Sequence, residues 1–116
     1  MGHEVKISVL MNCYNSENFI FDSINSLILQ TYKDWELVVW DDASTDNTLN
    51  IVKAIQDNRI RIFENKKHKG LGPSRLSAQK VLRGDYISIL DSDDLYENNK
   101  LEKQIKILDN NFNVSL

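Results

Sequence analysis

Cysteine, proline and long apolar runs are all scarce in this chain. Its one cysteine, Cys13, excludes an intrachain disulfide and a metal site built from a cysteine cluster. One proline and four glycines exclude collagen-like or low-complexity character. No segment reaches transmembrane length, and the N-terminus carries no apolar stretch of signal-peptide type. Position 6 is lysine, so the Met1-Gly2 start fails the myristoylation pattern. Without a secretion signal, the sequon at Asn113–Ser115 carries no weight. A net charge of only −3 gives no general nucleic-acid footprint, so no nucleic-acid partner is expected. What remains is 116 residues of ordinary composition, 41% hydrophobic and 27% charged, enough for one domain with a real core.

Strand and helix patterns alternate along the chain. "VKISVL" (Val5–Leu10), "ELVVW" (Glu36–Trp40), "RIRIF" (Arg59–Phe63) and "YISIL" (Tyr86–Leu90) read as strands. Ile20, Ile24, Leu27 and Ile28 recur at helical spacing within Glu17–Gln30. Ile51, Val52 and Ile55 mark a second helix, and Ala78, Val81 and Leu82 a third, with Pro73 near its first turn. Gly84 then suits a C-cap or turn. Leu101, Ile105 and Leu108 stripe a fourth helix from about Glu97 to Asn110. Such alternation predicts an α/β fold with right-handed crossovers, a mostly parallel sheet and helices on both faces. Ligands then bind beyond the carboxyl ends of the strands.

That rule gives the polar clusters a common place. "NCYN", "DDASTD", "NKKHKGLGPSR" and "DSDD" each follow a strand, so all four fall on one sheet edge. Taken singly, each is a loop with helix caps. Asp91 and Asp93 stand one residue apart at a strand terminus. In extended backbone both carboxylates project to the same side. Hard oxygen donors suit Mg2+ or Mn2+, which keep waters and recruit ligand phosphates, and the lack of histidine disfavours zinc. Asp94 or Asn98 reads as the cap of the fourth helix. Asp41 and Asp42 end the second strand, with Ser44 or Asp46 serving the next helix. One of the pair can accept a base N–H or a ribose hydroxyl. Tyr14 either stacks on a base or packs under its loop.

In the lysine-rich loop, Arg75 is the best placed group for a diphosphate, expected in the first turn of the third helix. "GLGPSR" is not a P-loop, and the first strand lacks the glycine fingerprint of dinucleotide-binding folds. His68 reads as an exposed member of that loop. Cys13 reads as a small wall residue, and Trp35 and Trp40 as packing residues.

"ISVLMNCYN", "SINSLILQTYKDWELVVWDDASTDNT", the segment around Arg75 and "GDYISILDSDD" together resemble the nucleotide-binding half of a GT-A fold glycosyltransferase of family 2. The resemblance runs from Lys6 to about Leu108. It implies a truncated Rossmann-like sheet ordered 3-2-1-4. It also implies transfer of a sugar, with inversion, from a UDP-, GDP- or dTDP-sugar to a saccharide or lipid-linked acceptor in cell-surface polysaccharide synthesis. By the same likeness Tyr14 stacks on the base, Cys13 belongs to the nucleotide site, Asp42 contacts the base with Asp41 alongside, and Arg75 serves the nucleotide. Asp91 lies near the ribose and metal, and Asp93 binds the Mg2+ or Mn2+ that bridges the diphosphate. Asn12 and Cys13 replace a usual proline and threonine, Leu76 a usual polar residue, and Ala78 a usual glycine.

The family's acidic base lies in an acceptor half that residues 1–116 do not include, so no catalytic residue is assigned here. "NVSL" reads as the opening of a further strand. The resemblance implies a cytoplasmic location, with any contact to the inner face of the membrane made by parts outside this chain. An unpaired strand edge invites a second copy. Two other scaffolds gather acids or phosphates on such a sheet edge. A nucleotidyltransferase wants a glycine-rich, arginine-containing loop where "NCYNSEN" stands. A phospho-acceptor receiver places its acidic pair after the first strand, not the second. A non-catalytic interaction domain on the same scaffold is the third alternative, and the intact acids count against it.

Overall fold

A computed structural model describes residues 5–115, with side-chain surroundings through Asp109. The elements alternate as β1 (Ile7–Cys13), α1 (Ile20–Ile28), β2 (Trp35–Asp41), α2 (Thr48–Ala54), β3 (Ile60–Glu64), α3 (Leu71–Gln79), β4 (Tyr86–Ile89) and α4 (Lys100–Ser115). The sheet is parallel throughout and ordered β3-β2-β1-β4, as the alternating pattern and the family likeness predict.

Side chains of successive strand residues point to opposite faces, which divides the core. Ile7, Val9 and Met11 of β1 and Trp35, Leu37 and Val39 of β2 face α1, α2 and α4, where Ile20, Ile24, Leu27, Val52, Leu101 and Ile105 cover them. The opposite face is thinner: Leu10 and Val38 meet Ala78 of α3, flanked by Trp40, Phe63, Val81 and Leu82. Each fully buried Val, Leu or Ile among them contributes about 1.5–3 kcal/mol.

The register fixes where the strands end. Ile7 pairs with Trp35 and Cys13 with Asp41, while Asp41 pairs with Glu64. Past the last pairs, Asp42 N donates to Cys13 O at 2.9 Å and Asn65 N to Asp41 O at 2.8 Å. Three strands therefore finish in step, and their following loops share one edge.

Several boundaries differ from the sequence reading. The first strand runs on through Asn12 and Cys13 because β2 pairs with it that far. Arg75 stands past the first turn of α3, which opens at Leu71. Gly84 is not the helix C-cap, a place taken by Lys80. Its need for glycine is steric: an added Cβ would lie 2.4 Å from Ser8 N on β1. Neither Asp94 nor Asn98 caps α4, which begins at Lys100 with Lys103 N on Asn99 O. Val114 and Ser115, expected to open a strand, continue α4, and Leu116 lies outside the described residues.

Candidate functional site

Beyond the ends of β1 and β2 lies a cleft of about 230 Å³, lined by Asn12, Cys13, Tyr14, Asp42, His68, Gly70, Leu71 and Ser74. Its floor is a polar clamp. Asn65 Nδ2 donates to Asp42 Oδ1 and to Ser74 Oγ, both at 2.8 Å, while Trp40 Nε1 donates to Asn65 Oδ1 at 3.0 Å. The loop after β3 folds back over Asp42. Lys69 N reaches Oδ1 at 2.7 Å and Gly70 N reaches Oδ2 at 2.8 Å. Gly70 does this at φ 90°, a conformation that favours glycine.

Burial raises the Asp42 carboxyl, but the bonds from Asn65, Lys69 and Gly70 and the neighbouring His68 outweigh it. They hold the carboxyl below its ordinary value. Cys13 shifts the other way. Burial first, and then the Asp41 carboxylate 3.5 Å from Sγ, push its thiol up, so it serves as a wall and not as a nucleophile.

Asp41 is spent on the loop that follows it. Ser44 N and Ser44 Oγ donate to its two oxygens at 3.0 and 2.6 Å. Asp46 supplies the helix end, accepting from Thr48 N at 2.9 Å, while Ser44 turns to Asp41 and to Asn15 N. Asn15 and Ala43 both take left-handed backbone, at φ 49° and 60°. Asn15 tolerates this readily, and its Oδ1 accepts from Thr45 N at 2.8 Å. Ala43 holds a costlier conformation beside Asp42.

Asp91 and Asp93 lie in the loop after β4, both exposed, and neither lines the cleft. The loop is pinned from below. Asp94 N closes a turn on Asp91 O at 3.0 Å. Ser23 Oγ, fully buried, donates to Ser92 O at 2.8 Å and also contacts Asp94 O. Ser92 Oγ meets Ser16 Oγ at 2.8 Å, and Ser16 N donates to Thr48 Oγ1 at 2.7 Å, so this loop and the start of α2 share one anchor. Among the described residues the Asp91 and Asp93 carboxylates take no hydrogen bond or ion pair, and no group of three or more His, Cys, Asp or Glu is placed to hold a metal. Two free carboxylates fit a magnesium-type ion that brings waters and ligand phosphates, and they do not fit a cation held wholly by protein.

Arg75, on the α3 face, does not line the cleft. Its Nε is buried without a partner among the described residues, as is Nδ2 of Asn12. The edge thus gathers Cys13, Tyr14 and Asp42 into one cleft, and leaves Asp41, Arg75 and the Asp91–Asp93 pair around it. Asn65, Ser74 and His68 were not singled out as site residues from sequence. Asn65, immediately after β3, held the available signal: a buried-side amide where a strand end meets the acidic pair.

Comparison with known proteins decides the family. The model of glycosyl transferase family 2 matches residues 8–116. The chain belongs to glycosyl transferase family 2. This family-2 chain is 44% identical, over 88% of its length and 40% of the relative's, to the Escherichia coli UDP-Glc:alpha-D-GlcNAc-diphosphoundecaprenol beta-1,3-glucosyltransferase WfgD. Staphylococcus aureus TarS 1–349 in complex with UDP-GlcNAc matches with TM-score 0.88 and 32% identity, over 92% of this chain and 32% of that one. The mannosyltransferase PcManGT of Pyrobaculum calidifontis, in complex with GDP-Man and Mn2+, gives TM-score 0.83 and 25% identity over 91% of this chain and 33% of its own. The fold is therefore that of the GT-A glycosyltransferases. The chain spans about two fifths of the length of WfgD, of EpsE of Bacillus subtilis and of WfaP of Escherichia coli, and less than a fifth of three Rickettsia glycosyltransferases it also matches. No helix among the described residues is long and apolar enough to cross a membrane.

Proposed function

We propose that this chain is the donor-binding portion of an enzyme that transfers a sugar, with inversion, from a nucleotide-diphospho-sugar to a saccharide or lipid-linked acceptor in cell-surface polysaccharide synthesis. The observation that carries this reading is the meeting of Tyr14 and Asp42 in one cleft at the ends of adjacent parallel strands. An aromatic face, 45% exposed, offers a base a stacking surface. A carboxylate at the back offers an acceptor for a base N–H. Cys13 walls the cleft. Arg75 serves the nucleotide from α3, where its guanidinium has an unused buried N–H to offer an anion.

Asp91 and Asp93 would hold Mg2+ or Mn2+, with Asp91 also near the ribose. When bound, the cation offsets negative charge on the leaving diphosphate. The carboxylate base that deprotonates the acceptor hydroxyl would come from an acceptor half outside residues 1–116, so these residues should bind donor better than they turn it over. Names of relatives favour UDP-linked donors and a diphosphoundecaprenol-linked acceptor.

The test is Tyr14→Ala, because the Tyr14 side chain is exposed and makes none of the hydrogen bonds that hold Asp42. Stacking on one base is worth about 1–3 kcal/mol, roughly a tenfold to hundredfold loss of affinity. Calorimetric titration with UDP, GDP and dTDP reads it. Unchanged affinity for every nucleotide would remove the base-stacking assignment.

A further inference from the structure

The clamp raises a problem for donor binding. A carboxylate has two oxygens and about four lone-pair sites. Asp42 has Asn65 Nδ2 and Lys69 N on Oδ1, and Gly70 N on Oδ2. His68 Nδ1 stands 3.0 Å from Oδ2, close enough to pair with it when the imidazole is protonated, and 3.4 Å from Asp42 O. An imidazole thus stands in front of the oxygen that has room for a further bond. The same imidazole stands with its centroid 4.4 Å from the Tyr14 ring, tilted by 53°. One side chain therefore stands against both groups that a base would use.

We infer that His68 is a donor-site residue that holds the base's place in the free chain, with its ring against Tyr14 and its Nδ1 on Asp42, and that the base displaces it on binding. The inference rests on the reading of this cleft as the nucleotide site. Of the four partners of Asp42, His68 is the one free to leave. Asn65 is buried and also holds Ser74 and Trp40. Lys69 N and Gly70 N are backbone groups at the start of α3. The His68 side chain is 56% exposed, whereas that of Asp42 is 7%. Its departure uncovers the Tyr14 face and one lone pair of Oδ2 in a single rotation. An imidazole suits this place because it has the flat face and the in-plane N–H of a base.

The consequence is a sign that ordinary structural residues do not give. Removing His68 should tighten nucleotide binding. The contact being replaced is a half-exposed approach of an imidazole to a carboxylate plus one aromatic contact, so UDP should bind His68→Ala about three- to tenfold more tightly than wild type. The measurement is calorimetric titration of UDP into both proteins at fixed Mn2+, with circular dichroism to check the fold. A second readout follows the His68 ring resonances by NMR in wild type, identified by their absence in His68→Ala. UDP should shift them toward those of a free imidazole. Equal or weaker UDP binding by His68→Ala, or His68 resonances that stay put while UDP binds, would overturn the inference and leave the cleft reading standing. No UDP binding by either folded protein would overturn the cleft reading itself, and the inference with it.

Discussion

Asp42 and Asp93 follow strands of one sheet and share the edge proposed to bind the donor, yet the chain treats them oppositely. Asp42 is buried and enclosed by three donated hydrogen bonds and His68. Asp93 is exposed, and its carboxylate is unengaged among the described residues. The proposed base end is thus built in advance, from residues that follow β2 and β3 and lead into α3. The acidic end has a fixed backbone, pinned by Ser16 and Ser23, but its charges are left open. A flat base of constant shape rewards a preformed acceptor. A diphosphate brings charge of its own, and a cation between it and two carboxylates must be able to come and go.

The comparison breaks most visibly in stability. Asp42→Ala strips an acceptor from Asn65 Nδ2, Lys69 N and Gly70 N at once, and should cost about 2–4 kcal/mol in urea denaturation. Asp93→Ala should stay within about 0.5 kcal/mol of wild type. A null result at Asp42 would mean that its clamp is slack. For the same reason, lost nucleotide binding in Asp42→Ala is a poor test of base contact, whereas Tyr14→Ala is a clean one.

Ser23→Ala comes next. It removes the buried anchor of the acidic loop and should cost about 1–2 kcal/mol, with weaker metal-dependent binding at the far end and an unaltered base cleft. Equal loss of metal-free UDP affinity would show that the two ends are not separable.

Acid should act on the buried carboxylates. Burial raises Glu36, but bonds from Ser8, Arg83 N and Arg61 outweigh it, and Asp42 behaves likewise, so both are held below their ordinary values. Such groups add stability above their unfolded values and lose it as pH falls through the folded ones. Stability should therefore hold from neutrality to about pH 5 and decline below about pH 4. A flat profile down to about pH 2 would contradict this. The smallest effect is expected at Ala43, where glycine relieves left-handed backbone at an entropic cost. Ala43→Gly should stabilise by no more than about 1 kcal/mol, read as a small rise in the denaturation midpoint.

Much of this edge was legible in the sequence because periodicity reports it directly. Runs such as "ELVVW" and "YISIL" are too apolar to lie outside a sheet, and the alternation with helices leaves few orders for it. Tyr14, Asp42 and the Asp91–Asp93 pair could be placed on the edge because each ends a strand. Side-chain partnerships carry no such period. Nothing in "NKKHKG" announces that His68, exposed like its lysine neighbours, stands beside Asp42, nor that Asn65 braces the clamp. Gly84 looked like a helix terminator because glycine often is one; its true neighbour, Ser8, is distant in sequence. The fourth helix starts later than its stripe suggests because Tyr96 is drawn aside, its N on Ser26 Oγ at 3.0 Å and its hydroxyl on Ile89 O at 2.5 Å.

The most direct test of a prebuilt base end and an open metal end is a paired titration of UDP, with and without Mn2+, into wild type and Asp93→Asn. Asparagine keeps the shape and removes the charge, and Asp93 supports no other contact among the described residues. The two proteins should bind UDP alike without Mn2+, and only wild type should gain affinity when Mn2+ is added. Full Mn2+ enhancement in Asp93→Asn would contradict the assignment and reduce the acidic loop to a structural turn.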